Sequence, residues 1–260
     1  MLKIRNIVGN DPGKSNLVYM IDEHGKKLRY TASQRKIESK LKCNQRILNQ
    51  EKKKKKINEK ENQLSAQNSK SVDYERFKQY LVEKDKLNKE TAEFYKREVW
   101  RKMKFRSYSY GKKSIDTFLN KIKETFGDNI LIGYGNWSRN TQMKHFMPTM
   151  NKGLRKLIHK KYDTITINEC NTSKKCCGCH SNLEYYKDKE GKKVFRLLTC
   201  STCVRPEVKQ TVFRTRDVNS AVNIREITRS WINHQFRPEA FKISSFTTSS
   251  KKEVEKVRPS

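Results

Sequence analysis

Ile165-Thr166-Ile167-Asn168-Glu169 is an alternating, strand-like run that ends in an acid. Downstream stand Cys176-Cys177-Gly178-Cys179 and, twenty residues beyond, Cys200-Ser201-Thr202-Cys203. Arg216-Asp217-Val218-Asn219-Ser220-Ala221-Val222-Asn223-Ile224 then places a second acid at the head of a helical pattern. The span from Thr164 to Ile224 therefore decides the fold. Two Cys-x2-Cys knuckles at this separation have the spacing of a four-thiolate zinc site, closed to further ligands. Cys176, Cys179, Cys200 and Cys203 are the expected Zn2+ ligands of one structural site. Such a site folds a small ribbon that has too few apolar residues for a core of its own. Cys177 and His180 are alternates that the symmetric spacing does not need, and Cys43 and Cys170 read as ordinary thiols.

Working outward, the charge balance limits the partners. The chain has 260 residues, 59 Lys plus Arg against 28 Asp plus Glu, and a formal net charge of +31. Its 34% hydrophobic content can still build a core, in one large domain or two modest ones. A charge of this size calls for a polyanion, and nucleic acid is the first choice, because Lys and Arg release counterions when they neutralise phosphates. No clean amphipathic face suggests a membrane surface, no apolar run is long enough to span one, and the N-terminus lacks a signal-peptide core. The expectation is a soluble, intracellular chain, with its seven cysteines in a reduced compartment. No Gly-rich phosphate loop and no Ser-His-Asp pattern appears, so nucleotide hydrolysis and acyl transfer find no support. His24, His145, His159 and His234 have no metal or nucleophile spacing.

Upstream of the central span, Leu2 to Val8 reads as a strand, followed by a turn at Gly9-Asn10-Asp11-Pro12-Gly13. Leu17 to Ile21 and Lys27 to Tyr30 read as a hairpin turning at Asp22-Glu23-His24-Gly25. Three opening strands with an Asp at the end of the first are how an RNase H-like nuclease core begins. Ser33 to Glu59 reads as a helix with a loose stripe of Ile37, Leu41, Ile47 and Leu48, containing five lysines at Lys52 to Lys56; Glu61 to Ser71 reads as a linker. Val72 to Arg106 is helical through Tyr74, Phe77, Leu81, Leu87, Phe94 and Val99, and most of its aromatics are expected in a core. Ser114 to Phe126 is another helix, Ile130-Leu131-Ile132 a buried strand ending at Gly133-Tyr134-Gly135, and Lys152 to Lys161 a short basic helix. A helix is expected after Asp217, through Trp231.

Cleaving a phosphodiester with two metal ions needs carboxylates that gather two Mg2+ or Mn2+ at one place. Asp11, Glu169 and Asp217 are the candidates. Each lies at a strand end or helix start, and they are far apart in sequence, as a site assembled by folding requires. Asp11 has an alternative reading as a turn former and Asp217 as a helix cap. Tyr185, Tyr186, Lys187, Lys192, Lys193 and Arg196, between the knuckles, form a basic-aromatic hairpin suited either to nucleic acid or to solvent.

Asn10-Asp11-Pro12-Gly13, Glu169-x2-Thr172-Ser173-Lys174-x-Cys176-x2-Cys179, Cys200-x2-Cys203 and Arg216-Asp217-Val218-Asn219-Ser220-Ala221-x-Asn223-Ile224, in that order, resemble the RuvC-like nuclease and inserted zinc ribbon of the TnpB/Fanzor family. The resemblance implies a transposon-encoded DNA endonuclease, RNA-guided in its full-length relatives and related to type V CRISPR effectors. The acid usual after the central strand is replaced at Gly133-Tyr134-Gly135, and Glu169 resembles the relocated acid of the Fanzor branch. By this resemblance the catalytic, Mg2+-binding set is Asp11, Glu169 and Asp217, the partners are DNA and a guide RNA, and the location is nuclear in a eukaryotic host. Family members carry a wedge and a recognition domain before the first strand. The position of Asp11 so near the start of this sequence leads us to expect either a truncated or split copy, or a second chain that supplies those parts.

The fold implied is α/β, an RNase H-like (RuvC-like) mixed sheet with a long helical insertion and an inserted zinc ribbon. Its expected divisions are core at 1–32, basic helical insertion at 33–110, core at 111–171, ribbon at 172–215, last core helix at 216–236 and basic tail at 237–260. The rival expectations are a catalytically inactive nucleic-acid-binding remnant, and a zinc-ribbon adaptor that would leave Asp11 and Asp217 without a role.

Overall fold

The structure is a computed structural model that describes residues 5–137, 149–203 and 212–242. The described chain runs β1 (Asn6–Asp11), β2 (Asn16–Ile21), β3 (Lys27–Thr31), α1 (Ala32–Glu38), α2 (Leu41–Lys54), α3 (Ile57–Ser65), α4 (Tyr74–Lys96) and α5 (Glu98–Phe126). It continues through β4 (Ile130–Gly135), α6 (Asn151–Lys161), β5 (Asp163–Ile167), β6 (Glu184–Lys187), β7 (Lys193–Cys200), β8 (Val212–Thr215), α7 (Arg216–His234) and a 3-10 turn (Glu239–Phe241). Two compact units result, Met1–Ala32 with Thr117–Ser260, and Ser33–Asp116.

The first unit is mixed α/β. Its main sheet has the order β3-β2-β1-β4-β5. β1, β2 and β3 are antiparallel neighbours, whereas β1, β4 and β5 run parallel. β2 and β4 are almost continuously buried, as inner strands covered on both faces must be. β1 does not end at Val8. Gly9, Asn10 and Asp11 pair with Ile21, Met20 and Tyr19 of β2 on one side, and Gly9 and Asn10 with Gly133 and Tyr134 of β4 on the other. Pairing on two sides carries the strand through the glycine that the sequence suggested as a turn, so Asp11 is the last residue of β1. For the same reason β4 continues past Ile132 to Gly135, paired to β5.

α7 lies against β1 and β4 at two glycines. A Cβ on Gly9 would lie 2.0 Å from the Ala221 carbonyl oxygen, and one on Gly133 would lie 1.9 Å from the Thr228 Oγ1. Only glycine admits the helix so close. Val8, Val18, Met20, Ile132, Leu154, Ile158 and Ile224 are wholly buried. Ile167, Ile224, Ile227 and Phe241 form one apolar cluster, so the chain just beyond α7 joins the core. Arg237 secures it further by donating to the Phe241 and Asn168 carbonyls. The rest of the expected tail lies outside the described residues. β6, β7 and β8 make a separate antiparallel sheet, the ribbon.

The second unit is helical. Instead of one helix from Ser33 to Glu59, the chain breaks at Lys40 (φ 59°) and Lys56 (φ 53°), both left-handed, giving α1, α2 and α3. The loose apolar stripe does not bury: α1 and α2 have no buried residue. α3 extends through Ser65 into the stretch expected as a linker. The next break falls at Arg97, whose ψ of 129° is extended, and α5 then continues unbroken to Phe126. Of the aromatics between Val72 and Arg106 expected in a core, Phe94 is buried while Tyr74, Phe77, Tyr95 and Phe105 are exposed. Polar contacts tie these helices: Asn44 donates to Ser107 at 2.7 Å, Lys52 pairs with Glu61 at 2.8 Å, and Arg97 pairs with Glu51 at 3.1 Å. Among the described residues no helix is long and apolar enough to cross a membrane.

Candidate functional site

Asp11 ends β1, Glu169 stands two residues beyond β5, and Asp217 is the second residue of α7. The three acids line one cleft of about 750 Å³ together with Asn16, Trp137 and Thr172. Asp217 does not cap its helix, a position held by Thr215. Its carboxylate Oδ2 accepts a hydrogen bond of 2.6 Å from Asn16 Nδ2 at the start of β2. Glu169 Oε1 accepts from the Trp137 backbone N–H at 3.0 Å, just past the end of β4. The β4 end holds no acid because its space is taken. A Cβ at Gly135 would lie 1.9 Å from Glu169 Oε1 and 2.7 Å from Pro12 Cδ, so the glycine admits the Glu169 carboxylate over the strand end.

The acids feel one another. Burial pushes the Asp11 carboxyl well above its ordinary range, the charges of Glu169 and Asp217 push it further, and Arg216 partly offsets them. Burial raises Glu169 to about 7, against the hydrogen bond from Trp137 that favours its charged form. Gathered, partly desolvated carboxylates repel one another, and a bound divalent cation removes that repulsion. All three offer hard oxygen donors, although among the described residues the group of three or more whose donor atoms close to within 4.8 Å is the four cysteines.

The four knuckle cysteines also converge. Their sulfurs all lie within 4.8 Å of one another, with Cys176 to Cys203 at 3.7 Å and Cys179 to Cys200 at 3.5 Å. A tetrahedral Zn–S bond of about 2.3 Å implies S···S edges of about 3.8 Å, so the cluster fits one metal ion such as zinc. Backbone N–H groups of Gly178 and Cys203 each point to a cluster sulfur at 3.4 Å, to Cys176 and Cys200 respectively. Against the burial that raises it, hydrogen bonds from Ser181 and the Cys203 backbone lower the Cys200 thiol to about 6. Cys177 and His180 are not in the cluster. The Cys177 N–H bonds to Asn219, and His180 pairs with Glu226 at 3.0 Å.

Asn219 and Asn223, one turn apart on α7, join the two centres. Both donate through Nδ2 to the carbonyls of Thr172 and Lys175, at 2.7 to 3.1 Å. Asn219 Oδ1 accepts from the Cys177 N–H at 2.8 Å. Thr172 in turn donates to the Glu169 carbonyl through N–H and Oγ1, at 3.1 and 2.9 Å. The loop carrying Glu169 is therefore fastened to the first knuckle through buried amides. A sequence signal for this existed, two asparagines spaced i and i+4 on an otherwise core-facing helix. Asn16 and Gly135 left no signal, because their roles depend on neighbours remote in sequence. No protein-family model and no curated protein matches this chain.

Proposed function

We propose that the chain is a metal-dependent DNA endonuclease of transposon origin, of the TnpB/Fanzor kind, with an RNase H-like (RuvC-like) core that hydrolyses phosphodiester bonds at Asp11, Glu169 and Asp217. The observation that carries this reading is the meeting of three sequence-distant acids in one cleft, two of them with raised carboxyl pKa values. The sheet supports it: three antiparallel strands open the chain, an acid ends the first, and parallel strands follow. Mg2+ or Mn2+ held by these acids would activate a water and stabilise the leaving oxygen. The chain supplies the positioning: Asn16 orients Asp217, the Trp137 N–H fixes Glu169, and α7 sets Asp217 beside β1. The Cys176, Cys179, Cys200 and Cys203 cluster would hold a structural Zn2+. The partners by this reading are DNA and a guide RNA, with base pairing reading sequence and the basic chain contacting backbones. In a eukaryotic host the protein would act in the nucleus.

Asp217→Ala tests the site. Mg2+- or Mn2+-dependent cleavage of single-stranded DNA should vanish while zinc content and circular dichroism stay as in the wild type. Cleavage that survives in the variant would sink the assignment. A wild-type chain that binds the strand but leaves it intact would instead be a nucleic-acid-binding remnant.

A further inference from the structure

Helix α6 reaches the acid cleft through one asparagine. Asn151 is the first residue of α6 and is 2% exposed. Its Nδ2 donates at 3.2 Å to the carbonyl of Gly13, 138 residues away in sequence, instead of capping its own helix. That carbonyl belongs to the turn that follows Asp11 along the cleft wall. Sheet bonding runs out at this turn: the pairing of β1 with β4 stops at Asn10, its pairing with β2 stops at Asp11, and Pro12 has no N–H to give. α6 is a firm anchor for it, since Leu154 and Ile158 are wholly buried.

The other end of the same amide faces a second feature. Asn151 Oδ1 and the Tyr134 hydroxyl are both buried, and among the described residues neither has a hydrogen-bond partner of normal geometry. Both residues line one small cavity of about 20 Å³, with Trp137 and Arg155 around it. The Asn10 amide, opposite Tyr134 in the β1–β4 register, and the Arg155 charge act on the hydroxyl against the burial that raises its pKa. Unpaired buried polar atoms cost stability, and a polar cavity of this size holds one water that can satisfy both. A phosphate is too large for the space, and an apolar ligand would leave both atoms unpaired. We propose that one water molecule bridges the Tyr134 hydroxyl and Asn151 Oδ1, and that Asn151, held in this way, is a positioning residue that fixes the Asp11-Pro12-Gly13 turn. Tyr134 donates to the water and the water donates to Oδ1, which leaves Nδ2 facing the Gly13 carbonyl. The water thus sets which way the amide points. This deepens the nuclease reading and rests on it for what Asp11 does, but not for how the turn is held.

The test uses the zinc-loaded full chain and two variants: Asn151→Leu, which keeps the side-chain shape without the amide, and Tyr134→Phe, which deletes one oxygen. Hydrogen-exchange mass spectrometry reads the turn with no divalent ion added. Exchange at the Gly13, Lys14 and Ser15 amides should rise about tenfold in both variants, with peptides from β2 and β5 unchanged. In Mn2+-dependent cleavage of single-stranded DNA, kcat should fall about tenfold with KM unchanged, because Asp11 is misplaced while the binding surface is intact. A high-resolution crystal structure should show a water within about 3.2 Å of both the Tyr134 hydroxyl and Asn151 Oδ1. Wild-type exchange at the turn in either variant, or a protein side chain in the place of the water, would overturn the proposal. The two readings fail separately. If both variants loosen the turn but the wild type neither binds Mn2+ nor cuts, the positioning role stands and the nuclease reading falls. If the wild type cuts and both variants match it in exchange and kcat, the positioning role falls and the nuclease reading stands.

Discussion

Glu169 acquires its properties from its surroundings. Its carboxylate rests over Gly135 and under the Trp137 N–H, and burial there lifts its pKa to about 7. A carboxyl whose pKa rises on folding keeps its proton in the folded chain at pH values where the unfolded chain has lost it. Stability is then full below about pH 4.5 and falls as pH rises through about 7. Asp11, shifted in the same direction, adds to the effect. The metal-free protein should therefore lose up to about 3 kcal/mol between pH 5 and pH 8, seen as a falling urea midpoint. Mn2+ added at pH 8 should recover much of that loss, and a flat midpoint across this range would show that the acids are not desolvated together. The three acids are legible in the sequence as letters at the ends of apolar runs. Their pKa values are not, because desolvation depends on Pro12 and Gly135, which the chain brings to Glu169 only by folding.

Among the elements, the inner strands and the helix after Asp217 follow from apolar runs and period. Their ends are set by pairing: β1 passes through Gly9 to Asp11 because strands flank it on both sides. In the second unit the period misleads, since α1 and α2 present a stripe that is at most half-buried and left-handed lysines divide what composition suggests is one helix. α7 is the element with the most attached to it, packing on β1 while its asparagines hold the loop between Glu169 and the first knuckle. Asn219→Ala should cost about 1–3 kcal/mol in denaturant unfolding, because the Cys177 N–H loses its acceptor and the Thr172 and Lys175 carbonyls keep only Asn223 as donor. It should also weaken Mn2+ binding at the acids, read by electron paramagnetic resonance, even where zinc stoichiometry is kept. A loss below about 0.5 kcal/mol would mean that the loop stands without the amide.

For the whole molecule, charge and cysteine spacing are the features most readable from sequence, and the convergence of four sulfurs is where spacing and structure agree. If zinc fills the cluster, removing it with a strong chelator should unfold the ribbon and, through Asn219 and Thr172, release the Glu169 loop. Mn2+ affinity at the acids should then drop together with zinc, before the main sheet melts. Retention of full Mn2+ affinity in zinc-free protein would show that the two centres are independent. The contact of α7 with Gly9 has a consequence in time as well as in space. β1 leaves the ribosome before the ribbon, and the helix that seats Asp217 beside it follows the ribbon. Until that helix emerges, the nascent chain therefore carries Asp11 without its companions. A three-acid centre put together in this order stays incomplete until translation has passed α7.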